Sequence, residues 1–262
     1  MRKRVPKKRT KPPVKNYQDE DKSPEKEAPK VDIENFKFKI NCKFKNKKQK
    51  DLYNAILNNR IIFVRGAAGT GKTLISLVSA LALIKMPEYN INKIVLIKPI
   101  VEITSNKGLG ALPGDLNEKI NSYFSHFYDN LHKIISGEAI KFLKDNKYLN
   151  DRVLNYMRGV TYGEQREDGT PVGSICIFDE AQNSTVGEMK TFISRMGENS
   201  KLVILGDPDQ IDLKLMYNEI CGLNDAVNKL HDLQSIALIE FDEDDSVRDP
   251  FLIEIMKRYK NK

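Results

Sequence analysis

The run Gly66-Ala-Ala-Gly-Thr-Gly-Lys72-Thr73 has the residue types and spacing of a phosphate-binding loop. Gly66, Gly69 and Gly71 let a backbone curl until its N–H groups converge on an anion, so Gly66, Ala67, Ala68, Gly69, Thr70, Gly71, Lys72 and Thr73 are the candidate contacts to a nucleoside triphosphate. A helix opening at the end of the loop adds unpaired N–H groups and a positive dipole end. Lys72 then meets the β- and γ-phosphates as a point charge, and the Thr73 hydroxyl can take one position around Mg²⁺. By itself the loop predicts nucleoside triphosphate binding and no more.

A second constellation supplies the rest of a hydrolytic site. The apolar run Ser174-Ile-Cys-Ile-Phe178 ends in Asp179-Glu180. A strand holds a carboxylate still, so Asp179 is the second candidate Mg²⁺ holder, through a water. Glu180, expected on the opposite side of that strand, is the candidate base for the water that attacks the γ-phosphate, which favours hydrolysis over transfer to a small molecule. Gln210, in Gly206-Asp-Pro-Asp-Gln210, can donate to a γ-phosphate oxygen and accept from the attacking water. Arg248 has two readings: it neutralises charge developing in the transition state, in its own subunit or a neighbour's, or it forms a surface ion pair with Asp245 or Asp249. The acidic cluster Asp242-Glu-Asp-Asp245 is likewise either a solvated loop or a nuclease metal site.

The elements that must position these groups are legible in the apolar pattern. Strands are predicted at Ile61–Val64, Lys93–Ile97, Ser174–Phe178, Lys201–Leu205 and Gln234–Glu240. Helices are predicted over Leu74–Ile84, Leu116–Ser136, about Val186–Met196, about Asn218–Leu230 and about Pro250–Tyr259. A polar stretch from Tyr162 to Gly173 reads as an exposed hairpin or loop. Strands alternating with helices predict a mostly parallel sheet covered on both faces. Ligands bind such sheets at the carboxyl ends of the strands, where each polar motif falls.

Composition narrows the setting. The chain of 262 residues carries a formal net charge of +7. Through Lys30 there are eleven basic and five acidic residues, a balance of +6, which leaves +1 for everything after. That segment also holds Pro6, Pro12, Pro13, Pro24 and Pro29 and almost no apolar residues, so residues 1–35 are expected to form a disordered basic tail and 36–262 the folded domain. Lys37, Lys39, Lys43, Lys45, Lys47, Lys48 and Lys50, interleaved with Phe36, Phe38, Ile40 and Phe44, predict an extended stretch with one apolar and one cationic face. It reads either as an edge strand defended by lysines or as a nucleic-acid contact. Cys42, Cys176 and Cys221 form no Cys-x-x-Cys pair, which fits a reducing cytoplasm. His126 and His132 are too poorly spaced to share a helical face, so neither is assigned to a metal. The longest apolar helix is too short to span a bilayer and no hydrophobic segment follows the basic N-terminus, so neither a membrane span nor a secretory signal is expected.

Taken with the phosphate loop, Asp179-Glu-Ala-Gln182-Asn183 and Gly206-Asp-Pro-Asp-Gln210 closely resemble the PhoH-like family of phosphate-starvation-inducible ATPases. The likeness runs from about Lys45 to the C-terminus and includes Leu112-Pro-Gly-Asp-Leu116, Met157-Arg-Gly159, Gln210-Ile-Asp-Leu213 and Ser246-Val-Arg248-Asp-Pro250. The resemblance implies a RecA-like core related to superfamily 1 helicases, with sheet order 5-1-4-3-2, ATPase activity, action on RNA and formation of a ring of up to six subunits, a hexamer. It also implies that Gln49 reads adenine and that Arg248 lies near the γ-phosphate. Lys98 stands where the family usually has arginine before Pro99, and Val160 where a second arginine is common, which touches nucleic-acid and subunit contacts more than ATP binding. With no attached RNA-binding or nuclease domain, the chain is similar to the small members found in bacteriophages.

The function expected from these residues is a Mg²⁺-dependent ATP hydrolase coupled to RNA or another single-stranded nucleic acid, as a motor or helicase in oligomeric form. An ATP-dependent binding switch with slow hydrolysis and a ribonuclease are the alternatives.

Overall fold

The computed structural model describes residues 33, 36–99, 116–154, 161–213, 215 and 219–260. The expected tail, the glycine-rich loop at 106–115 and the motif residues Met157, Arg158, Gly159 and Val160 lie outside the described residues.

Seven strands form one sheet: β1 (Ile61–Gly66), β2 (Ile91–Lys98), β3 (Leu149–Val153), β4 (Glu164–Gln165), β5 (Pro171–Phe178), β6 (Lys201–Gly206) and β7 (Ile236–Phe241). Their order is β3-β2-β5-β6-β1-β7, with β4 paired antiparallel to β5 and every other pair parallel. The five strands predicted from apolar runs therefore stand in the predicted RecA-like order 5-1-4-3-2. The five-strand count is corrected to seven by β3, an edge strand beside β2, and by β4, which makes the stretch after Tyr162 a hairpin onto β5.

Strand side chains alternate between two cores, as a period of two requires. Ile62, Val64, Ile94, Leu96, Ile175, Ile177, Val203 and Leu205 pack on one face with residues of α1 (Lys47–Asn58), α2 (Lys72–Leu83), α3 (Leu116–Ile134) and α4 (Gly137–Asp145). Phe63, Val95, Ile97, Cys176, Phe178, Leu202 and Ile204 pack on the other with α5 (Val186–Ile193) and α6 (Gly222–Leu230). Phe63 and Phe178 are fully buried, and a side chain of that size contributes about 1.5–3 kcal/mol by leaving water. A final helix, α7 (Pro250–Lys260), follows β7.

The basic stretch differs from its prediction. Phe36, Phe38 and Ile40 turn toward the core while Lys37 and Lys39 face solvent, and Phe36 stacks on Phe142 at 3.7 Å between ring centroids. The alternation is present, but residues 36–45 pair with no strand, so this is not a sheet edge. From Lys47 the chain is helical: the Asn46 side chain accepts from Gln49 N, and Gln49, Leu52 and Ile56 form the buried face of α1.

At the opposite end of the strands from the phosphate loop, Lys201 opens β6 almost completely buried. Its Nζ donates to Leu57 O at 2.8 Å and Asn59 O at 2.7 Å and lies 5.5 Å from the centre of the Tyr89 ring. Burial, with Arg60 nearby, pushes this amine down to about 8. An unfolded lysine takes up its proton below about 10.4. Between these values the unfolded chain holds more protons than the folded one, so stability contributed through Lys201 rises with pH across the window from about 8 to 10.4. Urea titrations at pH 8 and pH 10 should show the difference in stability between wild type and Lys201→Met shifting in favour of the wild type as pH rises, and Lys201→Met should be less stable overall because two buried carbonyls lose their donor.

Candidate functional site

Four strand ends converge on one cavity of about 450 Å³. Its walls include Gly69, Lys72, Thr73, Asp179, Glu180, Gln210 and Arg248. Between β1 and α2 the loop holds Gly69 at φ +87° and Gly71 at φ +89°, left-handed conformations in which a side chain is strained. Gly71 caps α2 with no side-chain acceptor, so the first N–H groups of the helix remain available at the mouth of the loop. Lys72 Nζ donates to Gly66 O at 2.7 Å and Ala67 O at 2.8 Å, curling the loop around its own lysine. Burial holds the Lys72 ammonium below the ordinary lysine range, opposed by the charges of Asp179, Asp207 and Glu180 and reinforced by Arg248.

Asp179 leaves β5 almost wholly buried and meets α2 directly: Thr73 Oγ1 donates to Asp179 Oδ2 at 2.9 Å. A hydroxyl and a carboxylate side by side at the cavity wall are hard oxygen donors of the kind Mg²⁺ takes, and Mg²⁺ uses few protein ligands because it keeps much of its water. Thr73 and Asp179 thus fit that cation. Among the described residues no group of three or more His, Cys, Asp or Glu is placed to hold a metal ion.

Glu180 is not on the strand. The strand ends at Phe178, and Glu180 sits in the left-handed region at φ +57°, its N–H donating to Asp179 Oδ1 at 3.0 Å. That turn, rather than strand alternation, separates the two carboxylates. Gln182, unassigned in the sequence reading, is the hub of this turn. Its Nε2 donates to Glu180 Oε2 at 2.7 Å and to Gln210 O at 3.1 Å, while its Oε1 accepts from Asp207 N at 3.1 Å. Asn183 extends the seam by accepting from Asp212 N at 2.8 Å. The signal is a pair of amides one residue after an acidic pair, which carries no geometry until the turn is known. Gln210 reaches the cavity with its Nε2 donating to Asp207 Oδ2 at 2.8 Å.

Arg248 lies over its own phosphate loop. A Cβ placed on Gly69 would overlap Arg248 Nε, Cδ and Cγ, and Val247 N donates to Gly69 O at 3.0 Å. Its alternative partners are engaged elsewhere: Asp245 Oδ2 is 3.8 Å from Lys48 Nζ and accepts from Asp242 N, and Asp249 Oδ1 accepts from Phe251 N. Asp242 Oδ1 accepts from Asp244 N and Asp245 N, so the acidic cluster folds onto its own backbone.

Gln49 is braced beneath the loop and is absent from the cavity wall. Its Nε2 donates to Thr70 O at 2.9 Å, its Oε1 accepts from Lys45 N at 2.8 Å, and it is 1 % exposed. With both ends of the amide engaged, its role in this conformation is to hold the loop. On the other side, α3 contributes His126, Asn130 and Lys133, which share one helical face, to the cavity wall. Lys98 ends β2 with Nζ 5.1 Å from the centre of the Tyr123 ring, whose hydroxyl is pushed up to about 12 by burial and by Glu180.

A family model described as PhoH-like protein matches residues 41–260. The chain belongs to the PhoH-like family. Among relatives of this family member, a PhoH-like protein of Bacillus subtilis is 36% identical over 211 residues, covering 80% of this chain and 61% of the relative. Protein PhoH of Escherichia coli is 31% identical over 207 residues, covering 78% of this chain and 54% of the relative. The chain therefore spans between half and two thirds of the length of these relatives. Among solved structures, the Pif1 helicase of Candida albicans aligns with TM-score 0.40 and 13% identity, over 82% of this chain and 44% of that one. No described helix is long and apolar enough to cross a membrane.

Proposed function

We propose that this PhoH-like protein is an ATP hydrolase whose cycle is coupled to RNA or another single-stranded nucleic acid. The observation that carries the reading is the convergence of loop, acidic pair, Gln210 and Arg248 on a single cavity.

The triphosphate lies along the loop, with the N–H groups of Gly66–Thr73 and the start of α2 meeting its oxygens. Lys72 exchanges the Gly66 and Ala67 carbonyls for the β- and γ-phosphates. Thr73 and Asp179 are the residues that would hold Mg²⁺, which when bound neutralises phosphate charge. Glu180, kept in place by Gln182, takes a proton from the attacking water as that water's oxygen bonds to the γ-phosphorus and the bond to the β–γ bridging oxygen breaks. Gln210 orients the water, and Arg248 offsets charge on the phosphoryl oxygens.

Nucleic-acid coupling is supported by charge. The first thirty residues carry +6 of the net +7, and among the described residues Lys37, Lys39, Lys43 and Lys45 are exposed. A homo-oligomer, up to a hexamer, in the cytoplasm completes the reading; Phe251 and Leu252, large apolar side chains exposed at the start of α7 close to Arg248 in the chain, suit a subunit contact. The ribonuclease alternative is disfavoured because the carboxylates of Asp242 and Asp245 accept from the cluster's own backbone N–H groups.

The test is the ATP turnover rate against single- and double-stranded RNA and DNA at two salt concentrations, with and without residues 1–30. Stimulation by single strands that weakens with salt, and weakens less steeply without the basic segment, is expected. Slow turnover that no nucleic acid stimulates, with ATP-dependent retention of RNA, selects the switch reading instead. Failure to take up nucleotide in calorimetry removes both.

A further inference from the structure

The α3 wall of the cavity contains an imidazole aimed at the one carboxylate assigned to the cation. His126 Nδ1 lies 4.0 Å from Asp179 Oδ2, the same oxygen that accepts from Thr73 Oγ1. One turn on, Asn130 is 9 % exposed, and its Nδ2 donates to His126 O at 2.9 Å and lies 3.3 Å from His126 Nε2. A carbonyl oxygen only accepts, so that bond fixes the amide with its NH₂ group toward His126. The imidazole Nε2 facing this NH₂ is then the acceptor, which leaves the proton of the neutral ring on Nδ1, the nitrogen facing Asp179.

We propose that His126, oriented by Asn130, is a positioning residue for the divalent cation. Its Nδ1–H holds Asp179 Oδ2, or a water bound between that oxygen and the cation, in the orientation the cation requires. At 4.0 Å the ring is beyond direct hydrogen-bond distance, so the contact closes by a small shift or through one water. Direct ligation is disfavoured because Mg²⁺ is a hard cation that prefers oxygen, whereas a donor behind a ligating carboxylate is the common arrangement around bound metals. The inference rests on the assignment of Thr73 and Asp179 to the cation.

The test is the Mg²⁺ concentration at which a fluorescent, non-hydrolysable ATP analogue reaches half of its Mg²⁺-dependent gain in affinity. His126→Ala should raise that concentration about tenfold or more. Affinity for the analogue without Mg²⁺ should be unchanged, a split that a general loss of structure would not give. His126→Asn, whose Nδ2 can stand where the ring Nδ1 stands, should recover most of the loss, and Asn130→Ala should shift the midpoint in the same direction by less. A midpoint in His126→Ala equal to wild type, or an equal loss of affinity with and without Mg²⁺, overturns the inference while leaving the Thr73 and Asp179 assignment intact. If the wild type itself gains no affinity from Mg²⁺, that assignment falls and takes the inference with it.

Discussion

Glu180→Gln is expected to keep nucleotide binding and to slow ATP hydrolysis by ~10²-fold or more, the range for loss of a general base. The substitution is a clean probe because of how the side chain is held. Gln182 Nε2 donates to Glu180 Oε2, and a glutamine oxygen can accept the same bond, so the left-handed turn and its contact to Asp179 Oδ1 survive. What disappears is the capacity to take a proton. Single-turnover hydrolysis measured beside calorimetric nucleotide affinity separates the two effects. Turnover close to wild type would remove Glu180 from the role of base and leave the turn as a device for positioning Asp179. Gln182→Ala is the natural companion, since it frees Glu180, Asp207 and Gln210 together and should lower hydrolysis without altering the Thr73 and Asp179 pair.

The parts of the fold visible in the amino-acid sequence are those buried on both sides. β1, β2, β5 and β6 are short apolar runs because helices cover both faces of the sheet, and such runs can be recognised without knowing their neighbours; β7, at the sheet edge and mostly half-buried, keeps an apolar run of the same kind. β3 escaped recognition because Leu149-Asn-Asp-Arg-Val153 has polar residues through its middle. Asp151 is held there by the Tyr128 hydroxyl at 2.6 to 2.7 Å, a partner whose distance in space the chain does not announce. The start of α1 was hidden in a lysine run, where the buried face consists of Gln49, Leu52 and Ile56 and its first member is polar. Site residues followed the same division. Lys72, Thr73 and Asp179, which the proposed chemistry requires at fixed spacing, were nameable as candidates from residue type, and the structure brings them to one cavity. Gln182, Asn130 and His126 were not, because an amide or an imidazole acquires its meaning from what it faces.

The phosphate loop is held from two directions that are themselves joined. Gln49 of α1 grips Thr70 O, and Val247, after β7, grips Gly69 O. Asn46 connects them: its Oδ1 accepts from Gln49 N and its Nδ2 donates to Asp245 O at 2.9 Å. The loop is thus tied to the segment carrying Arg248 and to the start of α1, just after the exposed Lys37, Lys39, Lys43 and Lys45. Under the proposed function, this chain of hydrogen bonds connects the phosphate site to those lysines.

That route also fixes the expected behaviour of Arg248→Ala. The guanidinium belongs to the same subunit as the loop it covers, with its stem against Gly69, so its loss should lower hydrolysis by ~10³-fold, the lower end of what a transition-state arginine contributes. Arg248→Lys should restore little, because a point charge lacks the planar donor geometry that engages two phosphoryl oxygens at once. The decisive measurement is a mixture of Arg248→Ala with Glu180→Gln chains at equal concentration. If each site uses its own arginine, every site in the mixture lacks one required group and turnover stays at the level of the weaker variants. Were the arginine to serve a neighbouring subunit, some mixed contacts would pair an intact Glu180 with an intact Arg248, and activity would return on mixing. Recovery of that kind would show that Arg248 leaves Gly69 on assembly and that the cis arrangement is a resting position.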